Sequence, residues 1–250
     1  MTAPDSAPDR VPAARPTRHL LGAFGLYFSV AIVHLAMIVV GADEAARVSK
    51  LLLMPALAVA IVLMLWPLRG SAAWLLLVAI VLSWGGDTSL TIEGEWWFIA
   101  GLGLFLLAHL AYIALFLRLP STGRRFAPWS LVYAAWYLAF LALLGPHLGG
   151  LVLPVAVYGA VLGTMAALAS ARGGVIAVGA ALFVVSDSVL ALGRFLPGYE
   201  FAAHDLTVMA SYLAAQGLIA VGVVWSIRAG RLAPAPSSPA PGRRASATAP

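Results

Sequence analysis

Long apolar runs separated by brief polar punctuation dominate this chain. Taking windows of about 20 apolar residues as membrane-spanning helices, the pattern predicts helices at 20–41, 50–67, 72–92, 96–117, 129–147, 151–169, 174–195 and 206–228. Most connections between them are only a few residues long, which leaves no room for a soluble domain. The expected fold is therefore all-α, a polytopic bundle of eight transmembrane helices within residues 20–231. Residues 1–19 are rich in proline, alanine and charge and predict a disordered leader. Residues 232–250, a Pro/Ala/Ser stretch carrying Arg243 and Arg244, predict a disordered tail. The first apolar run is too long for a signal-peptide core and has no clear cleavage site, so it is counted as a span.

Composition agrees with this pattern: 62% of residues are hydrophobic and only 10% charged, far from the charged quarter typical of soluble domains. With no cysteine, disulfides, thiolate metal sites and cysteine nucleophiles are excluded. Charge placement orients the bundle. With eight spans, Arg10, Arg15, Arg18, Arg69, Arg118, Arg124, Arg125, Arg172, Arg228, Arg231, Arg243 and Arg244 fall on one side, and only Arg47, Lys50 and Arg194 on the other. Basic residues collect on the cytoplasmic side, so both termini are expected there. The net charge of +5 thus reads as a topology signal, and no nucleic-acid partner is expected. Abundant alanine, glycine, leucine and arginine point to a GC-rich bacterium and hence to a bacterial cytoplasmic membrane.

Two aspartates interrupt the apolar pattern. Asp87 lies in Leu82-Ser83-Trp84-Gly85-Gly86-Asp87-Thr88-Ser89-Leu90, and Asp187 in Leu182-Phe183-Val184-Val185-Ser186-Asp187-Ser188-Val189-Leu190. A charged group inside a membrane span costs at least about 2.5 kcal/mol on insertion scales, so it marks a functional site by default. Neighbouring hydroxyls such as Ser83 and Ser186 offer hydrogen bonds. By helical rise, Asp87 and Asp187 fall roughly 8 and 12 Å from the outer ends of their spans. His34, Lys50, Tyr212 and Gln216 also fall in the outer half, with His109 near the middle, which predicts a polar pocket opening toward one face. Ser83 and Asp87 share a helix face, as do Tyr212 and Gln216, and Phe105, His109, Tyr112 and Phe116 form another. Gly85 and Gly86 remove bulk beside Asp87. The aspartate-bearing helix is third in each set of four, so a 4+4 parallel repeat is a further expectation.

Two carboxyl groups in one low-dielectric pocket cannot both ionise easily and tend to share a proton. That arrangement suits acid–base hydrolysis, one carboxyl protonating the substrate and the other activating water. No nucleophile elbow, His-Glu-x-x-His zinc motif, phosphate loop or dinucleotide fingerprint is present. Three other classes compete. A small-molecule or proton-coupled transporter would use the same two aspartates, a metallohydrolase would gather Asp87, Asp187 and His109 around a divalent cation, and a purely structural protein would use the aspartates as clamps. The metal-free hydrolase needs no cofactor.

Gly86-Asp87 in helix three, Gly101-x3-Phe105-x2-Ala108-His109-x2-Tyr112-x3-Phe116 in helix four, Phe183-x2-Ser186-Asp187-x2-Leu190 in helix seven, Tyr212-x3-Gln216 in helix eight and Lys50 opening helix two together resemble the YhhN family of membrane lysoplasmalogenases. The resemblance runs from about residue 20 to 228. One departure is visible: the family often follows the helix-two lysine with proline, and here Leu51 follows Lys50 and the proline is Pro55. The resemblance implies hydrolysis of the vinyl ether bond of a lysoplasmalogen, a lysophospholipid drawn from the bilayer, to a fatty aldehyde and a glycerophospho-ethanolamine or -choline. It implies Asp87 and Asp187 as the catalytic pair, His109 and Tyr112 orienting water or a carboxyl, and Lys50 near the interface meeting the phosphate. Ser83, Ser186, Tyr212 and Gln216 complete the expected substrate-binding or orienting set.

Overall fold

The computed structural model describes residues 16–121 and 127–232. The expected leader and tail, and the basic pair Arg124 and Arg125, lie largely or wholly outside the described residues. The described residues form α1 (Pro16–Val39), α2 (Asp43–Leu65), α3 (Ser71–Leu90), α4 (Glu95–Arg118), α5 (Leu131–Leu144), α6 (Val152–Ala169), α7 (Gly174–Phe195) and α8 (His204–Leu232), with short 3₁₀ turns flanking α5 and preceding α6. No strand occurs among the described residues. Counting the 3₁₀ turns that extend α5 and α6, all eight helices are long and apolar enough to cross a bilayer, so this is a multi-pass membrane protein, as the apolar pattern predicts.

Helix ends depart from the predicted ones where polar residues are helical. α2 begins at Asp43, not at 50, because Asp43 and Glu44 occupy its first turn, where carboxylates complement the positive end of the helix dipole. Lys50 therefore lies two turns inside α2 rather than opening it. α3 stops at Leu90, which leaves Asp87 in its last turn, about 4.5 Å from the helix end instead of the expected 8. The turn that follows reverses at Gly94, whose φ of +126° only glycine adopts without strain.

Leu53, Leu57, Ile61 and Leu65 form one fully buried stripe on α2, at the four-residue spacing of a helix face. They join Leu76 and Ile80 of α3, Leu115 and Phe116 of α4, and Val223 and Val224 of α8 in the main core. The most extensive packing lies between α3 and α4 and between α7 and α8. Both pairs are closed by reciprocal glycines. A Cβ on Gly86 would lie 2.6 Å from the Phe105 ring, and one on Gly101 2.9 Å from Leu90. On the other pair, Gly179 faces Ile219 and Gly222 faces Ile176 at 2.9 and 2.5 Å. In membranes, where lipid is as apolar as the core, such close approach is what drives helices together. α5 is peripheral: only Tyr133 and Leu144 of its residues are buried, and Leu131 and Leu138 face outward.

Tryptophans mark the two ends of the bundle. Trp66 and Trp225 near the ends of α2 and α8, with Trp74 and Trp129 at the starts of α3 and α5, are exposed at one end; Trp96 and Trp97 at the start of α4 are exposed at the other. Such amphipathic rings settle at headgroup level.

Candidate active site

A cavity of about 90 Å³ opens among α2, α3, α4, α5, α6, α7 and α8, lined by Asp87 and Asp187 together with Lys50, Tyr158, Ser186, Arg194 and Tyr212, in a mostly apolar wall. It lies toward the cation-poor end of the bundle, the end of Arg47, Lys50 and Arg194. The volume admits several water-sized groups. α3 and α7 thus turn their acidic side chains into one hollow.

Each aspartate is held by a phenol from a neighbouring helix and faces one basic side chain. The Tyr212 hydroxyl on α8 donates to Asp87 Oδ2 at 2.6 Å, and Lys50 Nζ on α2 lies 3.7 Å from Asp87 Oδ1. The Tyr158 hydroxyl on α6 donates to Asp187 Oδ2 at 2.5 Å, and His109 Nε2 on α4 lies 4.0 Å from the same oxygen. Asp87 is almost wholly enclosed, its side chain 3% exposed; that of Asp187 keeps 13%, and this remaining surface faces the cavity. Phe105 and Phe183 pack edge-on to Tyr212 and keep both carboxyls in an apolar frame.

Behind Asp87 runs a polar chain. Tyr112 donates to Gln216 Oε1, and Gln216 Nε2 donates to Ser83 Oγ at 3.0 Å. Local spacing puts Ser83 on the Asp87 face, and the family resemblance implies Tyr112 orienting water or a carboxyl. Instead both meet Gln216, because the α8 amide, which needs donor and acceptor partners once buried, enters between them. Ser186 likewise turns away from Asp187 to the Val208 carbonyl of α8, and Thr88, Ser89 and Ser188 bond carbonyls of their own helices four residues back. Of the hydroxyls nearest in sequence to the aspartates, all but Ser186 are consumed within their own helices. His34 bonds Ser49 through Nδ1 at 2.8 Å, outside the cavity lining.

Neither ring nitrogen of fully buried His109 completes a well-formed hydrogen bond; the ring is clasped edge-on by Tyr158 and Phe183. Among the described residues no three histidine, aspartate or glutamate side chains gather closely enough to cage a metal. Lys50, expected to meet a phosphate, lies within ion-pair distance of Asp87.

Three site residues escape a reading of the sequence. Tyr158 and Trp136, whose indole N–H donates to Ser188 Oγ at 3.0 Å, bring α6 and α5 to the cavity, and Arg194 lines its mouth. A signal for Tyr158 existed. It lies about 9 Å from the start of α6, close to the depth of Asp187 in antiparallel α7, and beside Gly159, where small residues let helices approach.

The model of the YhhN family matches residues 45–223. Lysoplasmalogenases of Mycobacterium bovis and Mycobacterium tuberculosis are each 40% identical to this chain over 102 residues. That match takes in 37% of this chain and 37% of each relative, so the chain spans little more than a third of their length. No solved structure matches. The family match runs from the first turn of α2 into α8 and includes every side chain of the cavity, from Lys50 to Tyr212; the chain belongs to the YhhN family.

Proposed function

We propose that this protein is a membrane hydrolase that cleaves the vinyl ether bond of a lysoplasmalogen, or of a related lyso-ether lipid, to a fatty aldehyde and a glycerophospho-ethanolamine or -choline. The observation that carries the reading is the convergence of two phenol-bound aspartates, one beside an ammonium, on a single, mostly apolar cavity. Lysoplasmalogenase is also the name of the mycobacterial relatives, which supports the substrate class. The bilayer in question is the bacterial cytoplasmic membrane, with both termini cytoplasmic, an orientation supported by the uneven cations.

The lining gives the two carboxyls different work. Lys50 puts a positive charge beside Asp87, which suits it to act as the carboxylate. Asp187 has no fixed cation beside it; Tyr158 occupies Oδ2 and leaves Oδ1 to carry a proton. Asp187 protonates the outer alkene carbon, and the electron pair of the double bond forms the new C–H bond. The resulting oxocarbenium ion lies near the Asp87 carboxylate, which takes a proton from water as its oxygen adds to the cation. In the hemiacetal, Asp187 recovers the hydroxyl proton while Asp87 returns its proton to the departing glycerol oxygen. Aldehyde and glycerol hydroxyl form, one water is consumed and both carboxyls are reset. Tyr158 and Tyr212 hold the carboxyls in register, and the apolar wall takes the alkenyl chain.

The test is aldehyde release by the purified protein from lyso-vinyl-ether, lyso-alkyl-ether and lyso-ester lipids. Aldehyde is expected from the vinyl ether alone, and Asp87→Asn and Asp187→Asn are each expected to fold and to lose nearly all of it. A wild-type rate in either variant overturns the paired-carboxyl mechanism, and aldehyde from no lipid returns weight to transport. Since the chain's own carboxyls fill both roles, chelators are expected to leave the rate unchanged.

A further inference from the structure

Among the described residues the cation-poor end carries three lysine and arginine side chains, and their partners differ. Arg47 is paired with Glu44 at 3.1 Å and Lys50 with Asp87 at 3.7 Å. Among the described residues, no carboxylate lies within ion-pair distance of Arg194. Its guanidinium instead rests over the Phe98 ring of α4, 4.9 Å from the ring centre, and Phe98 packs edge-on to Phe195. The side chain is exposed, yet it lines the same cavity as the two aspartates. On α7 the lining residues Asp187, Leu190, Ala191 and Arg194 follow the spacing of a single helix face.

We propose that Arg194 is the residue that binds the phosphate of the substrate, and that it makes the site selective for a phosphate-bearing lysolipid over a neutral glycerol ether. The inference rests on the lysolipid reading above. A planar guanidinium offers paired N–H donors that match phosphate oxygens, and the aromatic platform fixes its plane without consuming them. The length is right. Asp187 and Arg194 are about 10.5 Å apart along the helix axis. From the ether oxygen through glycerol to phosphorus is roughly 6 Å in extended form, and a charge-assisted hydrogen bond adds about 2.8 Å. With the phosphate on Arg194, the vinyl ether reaches the carboxyls. Lys50, committed to Asp87, is not required for the headgroup.

The probes are a saturated O-hexadecyl lysophosphocholine, which cannot be cleaved, and the phosphate-free O-hexadecyl glycerol. Binding of each to the full chain in nanodiscs is followed by tryptophan fluorescence, to which Trp136 in the cavity wall contributes. Arg194→Gln is expected to weaken the phosphate-bearing lipid by about 10- to 100-fold and the neutral ether by less than about 3-fold, a loss of the size of one charge-assisted pair. Arg194→Lys, which keeps charge without the planar fork, is expected to fall between. Equal weakening of both lipids would give Arg194 a merely structural role, and no weakening of either would put the phosphate elsewhere; each overturns the proposal. Inorganic phosphate bound by the wild type, with lipid affinity independent of Arg194, would make free phosphate the ligand and also overturns it. Because no aldehyde is read, a failure of the hydrolase reading leaves this result decisive on its own.

Discussion

Asp87 and Asp187 are tied to different helices by the same device, a tyrosine hydroxyl donated from a neighbour. A hydrogen bond to a charged group contributes about 1.5–3 kcal/mol, which corresponds to roughly 10- to 100-fold in rate if it is made fully only in the transition state. Tyr158→Phe and Tyr212→Phe remove that bond with almost no change of volume. Each is expected to lower kcat for aldehyde release by roughly 10- to 100-fold with a smaller change in KM; a change in KM alone would reduce the tyrosines to substrate packing. The aspartates were legible in the sequence because a carboxylate deep in an apolar run is costly and therefore conspicuous. Their tyrosines were less so, since an amphipathic aromatic is ordinary in a membrane helix and only tertiary packing selects which hydroxyl meets which carboxyl. Arg194 was hidden differently: its sequence neighbourhood explains it fully as a charge at a helix end.

At the scale of the helix, apolar run length located all eight spans, because the bilayer demands it. It misplaced the start of α2, where Asp43, Glu44, Arg47, Ser49 and Lys50 are polar yet helical. Apolarity reports hydrocarbon depth, and a helix can continue beyond it. Contact between spans was legible only through glycine. Gly86 on α3 admits the Phe105 ring, a buried group with little freedom to move, whereas Gly103 on α4 meets nothing within 4 Å. Alanine at the two positions should therefore have opposite consequences. Gly86→Ala pushes the ring against its neighbours and is expected to destabilise by about 1–3 kcal/mol, read as a lower melting temperature in detergent. Gly103→Ala gains helix propensity of up to about 1 kcal/mol and is expected to melt no lower than the wild type. Equal melting of the two variants would mean that α3 and α4 do not depend on this close approach.

The whole molecule is polarised. Asp87 and Asp187, with the Tyr212 and Tyr158 hydroxyls that hold them, gather toward the cation-poor end, and toward the other end the core becomes the dry stack of Leu57, Ile61, Leu65, Leu76 and Val223, each at most 1% exposed. A transport path would have to cross that stack, whereas a hydrolase needs only an entrance on one side and release into the same leaflet. The leaflet depends on the proposed orientation: with the cation excess at the dry end on the cytoplasmic side, the site opens to the outer half of the membrane. Absence of cysteine makes the orientation directly measurable, since any introduced thiol is unique. Glu93→Cys and Glu200→Cys, exposed between α3 and α4 and between α7 and α8, are expected to react with a membrane-impermeant maleimide on intact cells. Acidic residues weigh little in topology, so these changes should not reorient the chain. Ser71→Cys, exposed at the start of α3, is expected to react only after permeabilisation. The reverse labelling pattern would turn the cavity toward the cytoplasm, and the lysolipid would then have to come from the inner leaflet.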